Sequence, residues 1–415
     1  MSDARTMNRW WVVFGAILIQ LALGALYAWS VFTPALKDAG WSNMQTQIVF
    51  SVSLAVFALV MVWAGRKLPV LGPKKLAMLG GVTLGVGYVL AGLVGGTNLW
   101  AVTLFIGVIG GAGLGFAYVV PIAVGMRWFP DKKGMITGLA VAGFGFGALG
   151  WVKIADSWGQ LLKTYGLSTT WIIYGVAFTA MTLIGAIWMI FPPADWKPAG
   201  WTPPQAKPGK ATGATDFTSS EMLRTPQFIL IFLTFVFSAG AGLMTIGLMK
   251  LYPMEALQAH GIAKESAKVI AGTAMGVFFA LANGIGRIVW GMASDKIGRK
   301  LSIIIMAASQ GAVVILFTAM AGNEFMLYLG ATIIGFNFGG NFALFPTITA
   351  DVFGTKNVGQ NYPYIFLAYG VGGIAGPILG GRLGDMGNFP LAFTLCGAAC
   401  ILGAVMTALV KPAHK

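Results

Sequence analysis

The stretch LANGIGRIVWGMASDKIGRK, residues 281–300, decides how the chain folds. Through Ala293 it is apolar apart from Asn283 and Arg287, and then Asp295, Lys296, Arg299 and Lys300 follow within six residues. An apolar run that closes on mixed charge reads as a helix crossing a bilayer and emerging into water. Runs of this kind recur from end to end of the 415 residues, which are 57% hydrophobic and 10% charged, with a mean hydropathy of +0.78. A soluble chain carries roughly 25% charged residues. Continuous apolar runs, rather than alternating ones, exclude a membrane β-barrel. The expected class is an all-α polytopic membrane protein.

Twelve runs separate at polar breaks: 10–36, 45–66, 76–95, 98–126, 134–152, 170–191, 226–250, 267–293, 300–321, 325–349, 359–381 and 389–410. The opening segment MSDARTMNRWWVVFGAILIQ resembles a signal peptide but runs on past Leu21 without a cleavage site, and reads as the first span. The longest polar segment, 195–227, is rich in Pro, Gly and Lys and reads as a flexible linker ending in a short amphipathic piece. The expected organisation is a six-helix bundle over 1–191, a linker over 192–225 and a second six-helix bundle over 226–415.

Lysines and arginines fall 19 to 7 between the two sides of these spans, with Arg287 left between them. The positive-inside rule then puts both termini and the linker in the cytoplasm of a multi-pass protein of the cell inner membrane. The net charge of +14 is thereby a consequence of topology, and no nucleic-acid partner is expected. Cys396 and Cys400 lie in the last run, and His260 and His414 in a loop and the tail. Neither pair has metal-ligand or disulfide spacing, so no metal and no cofactor are expected. No Ser/His/Asp or Cys/His set lies at depth, which argues against an enzyme. Gly145, Gly147 and Gly150 satisfy G-x-G-x-x-G, but inside a span, where no strand precedes them. A channel and a sensor on a transporter scaffold stay open as alternatives.

The halves repeat. GRKLPVLGPKK (65–75) follows the second span and GMASDKIGRK (291–300) the eighth; RWFPDKKG (127–134) follows the fourth and DVFGTKNVG (351–359) the tenth. The two offsets, 226 and 224, agree closely enough to indicate a duplicated six-span unit. GMASDKIGRK resembles the signature loop of the major facilitator superfamily, which implies two pseudo-symmetric halves. Together with SSEMLRTPQF, SDKIGR and FGTKNVGQNY, RWFPDKKG resembles the oxalate/formate antiporter family, itself close to the monocarboxylate transporters. The resemblance assigns Asp295 and Arg299 to the gating loop. Pro69 stands where the first copy should carry the matching acid, so that interaction is in doubt in the N-terminal half.

Arg287 lies eight residues before Asp295, about 12 Å of helix, against a bilayer half-core of about 15 Å. All 13 acidic residues fall at span ends or in loops, so a structural ion pair is not expected at that depth. Two readings compete: an arginine bonded to backbone carbonyls or snorkelling, and a fixed cation for a mobile anion. The second is favoured, with Asn283 one turn away supplying an amide beside the guanidinium fork. The resemblance implies the same, since both related families use arginine at this eighth-span position for the substrate anion. The monocarboxylate transporters often carry aspartate at the place of Asn283, an acid implicated in proton coupling. In the oxalate exchangers a lysine in the eleventh span provides a second cation; the matching position in NYPYIFLAYG (361–370) is Tyr369. One cation balances one carboxylate.

Tyr118, nine residues before Arg127, is expected at similar depth with a hydroxyl to donate. Tyr27, Phe144, Phe338, Phe342, Phe366 and Tyr369 are candidates for an apolar wall, with ordinary helix packing as the competing reading for each. Asn337 and Asn341 share a helix face and suit either interhelical bonding or substrate. The glycine runs 110–116 and 142–150 read as close-packing surfaces. Pro121, Pro346 and Pro377 mark helix kinks, and Lys250 is expected to snorkel. These features predict a monomeric secondary transporter of small monocarboxylates of the lactate or pyruvate type, coupled to protons, working by alternating access. Obligatory organic-anion exchange of the oxalate/formate type is the alternative.

Overall fold

The computed structural model describes residues 7–41, 43–95, 98–156, 158–193, 196–198, 200–202, 216–249, 251–411 and 413. Asp3, Arg5, Asp195, Lys207, Lys210, Lys250, His414 and Lys415, all used in the charge count or site reading, lie outside them. Apolar side chains let a chain enter lipid, but every peptide group must then bond within its own segment, which selects helix. Twelve helices long and apolar enough to span occur among the described residues: Trp10–Trp29, Ile48–Leu71, Pro73–Val94, Leu99–Trp128, Lys133–Ala155 and Leu161–Ala186, then Pro226–Leu248, Lys264–Ile297, Arg299–Met320, Glu324–Phe353, Val358–Gly384 and Phe389–Leu409.

The helices outrun the apolar runs where polar residues still suit a helix in the headgroup layer. The second continues through Arg66 and Lys67 to Leu71, and the sixth begins at Leu161 rather than at 170, with a break at Gly166 (φ 73°). The first span departs from one continuous helix: Trp10–Leu23 is α-helical, Gly24–Val31 tightens to a 3-10 helix, and Thr33–Asp38 is α-helical again. The fourth and eighth spans contain π-helical segments, Thr103–Gly110 and Ala274–Phe279.

Contacts divide the chain into two compact units, Met1–Pro203 and Pro204–Lys415. Within the first unit the fifth span packs on the first, the sixth on the third and the fourth on the second. Within the second unit the eleventh packs on the seventh, the twelfth on the ninth and the tenth on the eighth, the same pairing six spans later. The glycine runs sit in these contacts. A Cβ on Gly115 would lie 2.8 Å from the Phe57 carbonyl oxygen, and one on Gly143 would lie 3.0 Å from that of Ile17.

Both signature loops turn on a glycine in the same backbone state, Gly72 at φ 78°, ψ 154° and Gly298 at φ 91°, ψ 151°. Their chemistry differs. Arg299 donates to Asp295 at 2.5 Å, to Asp351 at 3.2 Å and to the Ser294 hydroxyl, tying together the ends of the eighth, ninth and tenth spans. In the first loop, 226 residues earlier, prolines replace both members of the pair, Pro69 for Asp295 and Pro73 for Arg299.

The end of the linker is a strap across the loop between the tenth and eleventh spans. Thr218 and Glu221 form a capping box on the short helix Ser219–Leu223. The Phe217 amide donates to the Phe353 carbonyl at 2.9 Å. Asn357 and the fully buried Asn361 both donate to the Phe217 carbonyl, at 2.8 and 3.0 Å, while Ser219 donates to the Asn361 side-chain oxygen at 2.9 Å. SSEMLRTPQF and FGTKNVGQNY are thus two halves of one contact.

Candidate functional site

Within the C-terminal unit the site grows from the pairing of the eighth and tenth spans. Gly286 and Gly339 let the two backbones approach; a Cβ on Gly339 would meet the Asn283 backbone, with its side-chain oxygen 3.0 Å away. The α-helix that follows the π segment, Ala280–Ile297, carries Asn283 and Arg287 one turn apart. Arg287 has 0% exposure and Asn283 only 8%. Arg287 Nε donates to Asn283 Oδ1 at 3.0 Å, and its guanidinium carbon stands 4.3 Å over the Phe342 ring. An arginine costs several kcal/mol to bury; a charge-assisted hydrogen bond and a cation–π contact offset part of that.

Phe342 extends the aromatic lining. It packs edge-on against Phe338 at 5.5 Å and Tyr369 at 5.3 Å, and Tyr369 lies 5.2 Å from Phe366. The tenth and eleventh spans therefore bring Phe338, Phe342, Phe366 and Tyr369 into one cluster under Arg287. Asn337 and Asn341 resolve in favour of interhelical bonding. Trp290 donates to Asn337 Oδ1 at 3.1 Å, and Asn337 donates to the Ser309 hydroxyl at 3.0 Å. Ser238 of the seventh span donates to Asn341 Oδ1 at 2.7 Å, and Gln310 of the ninth donates to the Ser238 carbonyl at 2.8 Å. These bonds hold the tenth span from behind. Ser238, Gln310 and Phe235, whose ring stacks on Phe345 at 4.1 Å, were not foreseen from sequence.

Within the N-terminal unit the other three candidates also meet. Phe144 of the fifth span contacts Tyr27 at 5.1 Å and Tyr118 at 5.6 Å, both edge-on, and Tyr118 contacts Phe57 at 5.2 Å. Tyr27 sits in the 3-10 segment of the first span and Tyr118 eight residues after the π segment of the fourth. Gln20, fully buried, donates to the Tyr118 carbonyl at 3.3 Å. It is the polar residue the sequence reading missed: an uncharged amide in an apolar run, whose partner lies 98 residues away. Asp295 and Arg299 stay apart from Arg287, at the helix ends described above.

Two six-helix bundles that repeat one pairing scheme, with a buried cation in one of them, define a polytopic membrane carrier. The chain belongs to the Major Facilitator Superfamily, whose model matches residues 12–278 and 256–415. It is a secondary transporter and not an enzyme. It is 30% identical to the uncharacterized MFS-type transporter YhjX of Escherichia coli (strain K12) over 88% of this chain and 86% of that one. It is 27% identical to the oxalate:formate antiporter of Oxalobacter formigenes over 98% and 92%. Among solved structures, the E. coli fucose:proton symporter superposes with a TM-score of 0.68 at 16% identity, covering 96% of this chain and 98% of that one. That likeness concerns the fold.

Proposed function

We propose that this transporter carries small monocarboxylates of the lactate or pyruvate type together with protons, by alternating access, with both termini and the linker in the cytoplasm. The observation that carries the proposal is the buried Arg287, oriented by Asn283 and set against the Phe342 face. A single guanidinium in buried, largely apolar surroundings is matched by one carboxylate; a dianion would leave a charge uncompensated in a low-dielectric site. Phe338, Phe342, Phe366 and Tyr369 supply a wall for a short organic side chain, and Tyr118, Tyr27 and Phe144 are proposed as substrate-binding residues of the N-terminal unit. Asp295 and Arg299 are assigned to gating, through the tie they make among span ends. The domain limits are 1–191, 192–225 and 226–415.

Obligatory exchange is the second reading, favoured by the antiporter named above, which matches nearly the full chain. The test is uptake of labelled lactate into proteoliposomes that hold no internal anion substrate, under an acid-outside gradient. Accumulation that follows the gradient, and is lost in a membrane-inserted Arg287→Ala variant, supports symport. Uptake only after preloading with oxalate or formate supports exchange. Undiminished saturable uptake by Arg287→Ala would remove the site assignment.

A further inference from the structure

The first signature loop carries a surface that the transport site does not use. Arg66, Lys67, Lys74 and Lys75 lie within ten residues, with no acidic residue among them, and all four are exposed. The second loop makes the same glycine turn but spends two of its three cations within the protein, Arg299 on Asp295 and Asp351, and Lys300 on the Val410 carbonyl at 3.0 Å, leaving Lys296 exposed. Prolines at 69 and 73 remove both ends of the corresponding pair from the first loop. Lys67, Lys74 and Lys75 have no ion pair among the described residues.

Arg66, Lys67 and Lys75 also stand on the outer, lipid-facing side of their helices. On the second span Trp63, 44% exposed, precedes Arg66 and Lys67 by one turn and Val70, 79% exposed, by two. Residues three, four and seven apart share one helix face. On the third span Lys75 shares its face with Met78, Leu79 and Val82, each with a large exposed apolar side chain. Trp63 packs edge-on against Phe116 of the fourth span at 5.4 Å, the position of an aromatic belt residue. Arg66, Lys67 and Lys75 therefore lie about one turn, roughly 6 Å, beyond side chains that face acyl chains, and Lys74 is four residues from the exposed Met78. That is the depth of lipid headgroups.

We propose that this loop is a binding surface for anionic phospholipid headgroups, with Lys67, Lys74 and Lys75 as phosphate partners and the stripes beneath them seated against the acyl chains. A juxtamembrane basic cluster above an apolar stripe has both halves of the chemistry such a lipid presents. The full-length protein in phosphatidylcholine nanodiscs, titrated with labelled phosphatidylglycerol, reads the preference for the anionic lipid. K67Q/K74Q/K75Q is expected to lower that preference at least about tenfold, and the charge-retaining K67R/K74R/K75R to keep it. Added salt should bring the wild type toward the Gln variant. K163Q/K264Q/K268Q, which removes three exposed cations elsewhere, should leave the preference unchanged. An unchanged preference in K67Q/K74Q/K75Q, or an equal loss in the second triple variant, would overturn the proposal.

Discussion

A permanent cation inside a span was visible in the sequence because nothing else in the chain resembles it: arginine keeps its charge at any attainable pH. Its amide neighbour was visible too, since a spacing of four puts Asn283 on the same face, and the two are bonded at 3.0 Å. The ring that covers the guanidinium was only one of several candidate aromatics, because contact between the eighth and tenth spans is set by tertiary packing. Position 369 tests the charge argument most directly. Its ring is 5.3 Å from Phe342, which in turn lies 4.3 Å under Arg287. Tyr369→Lys should improve competition by oxalate against labelled lactate by about tenfold, as a second cation offsets the second carboxylate. Unimproved competition by oxalate would mean that cation number does not select substrate here.

At the scale of elements, hydropathy locates helices but not their hydrogen-bond register. The twelve spans were therefore legible, while the 3-10 turn at Gly24–Val31 and the π segments at Thr103–Gly110 and Ala274–Phe279 were not. π segments occur often at functional sites, and these two each end eight residues before a candidate, Tyr118 and Arg287. The strap was half legible: its amphipathic character shows in the sequence, its docking on residues 353–361 does not. Asn361 serves it twice, as donor to the Phe217 carbonyl and as acceptor from Ser219. Asn361→Ala removes both of these hydrogen bonds and leaves Asn357 as the remaining side-chain donor to that carbonyl, at a cost of about 1–3 kcal/mol for the two. Hydrogen exchange at the amides of 217–223 should accelerate about tenfold or more, with the spans unaffected. Unaltered exchange there would show that the Phe353 carbonyl, Asn357 and the capping box suffice to hold the strap.

At the scale of the whole chain, the duplicated pairing was foreseeable from two loop offsets, and the departure at Pro69 was foreseeable with it. The matching loss at Pro73 went unnoticed, because proline at the start of a helix is ordinary. What the repeat does not duplicate is charge. By the same offset the position in the first unit that matches Arg287 falls among Met61, Val62 and Trp63, so the fixed cation belongs to one unit alone. Under the proposed symport, Arg287 carries one positive charge, the substrate one negative charge, and the coupled proton and the returning empty site make the full cycle move no net charge. Moving one elementary charge through the membrane field is worth about 2.3 kcal/mol per 100 mV, so a cycle that moved charge would respond strongly to voltage. Net lactate accumulation at a fixed pH gradient should therefore be the same with and without a potassium diffusion potential imposed by valinomycin. Accumulation that shifts with that potential would mean that lactate and protons do not cross one for one, and the proposed coupling would fall while the Arg287 site stood.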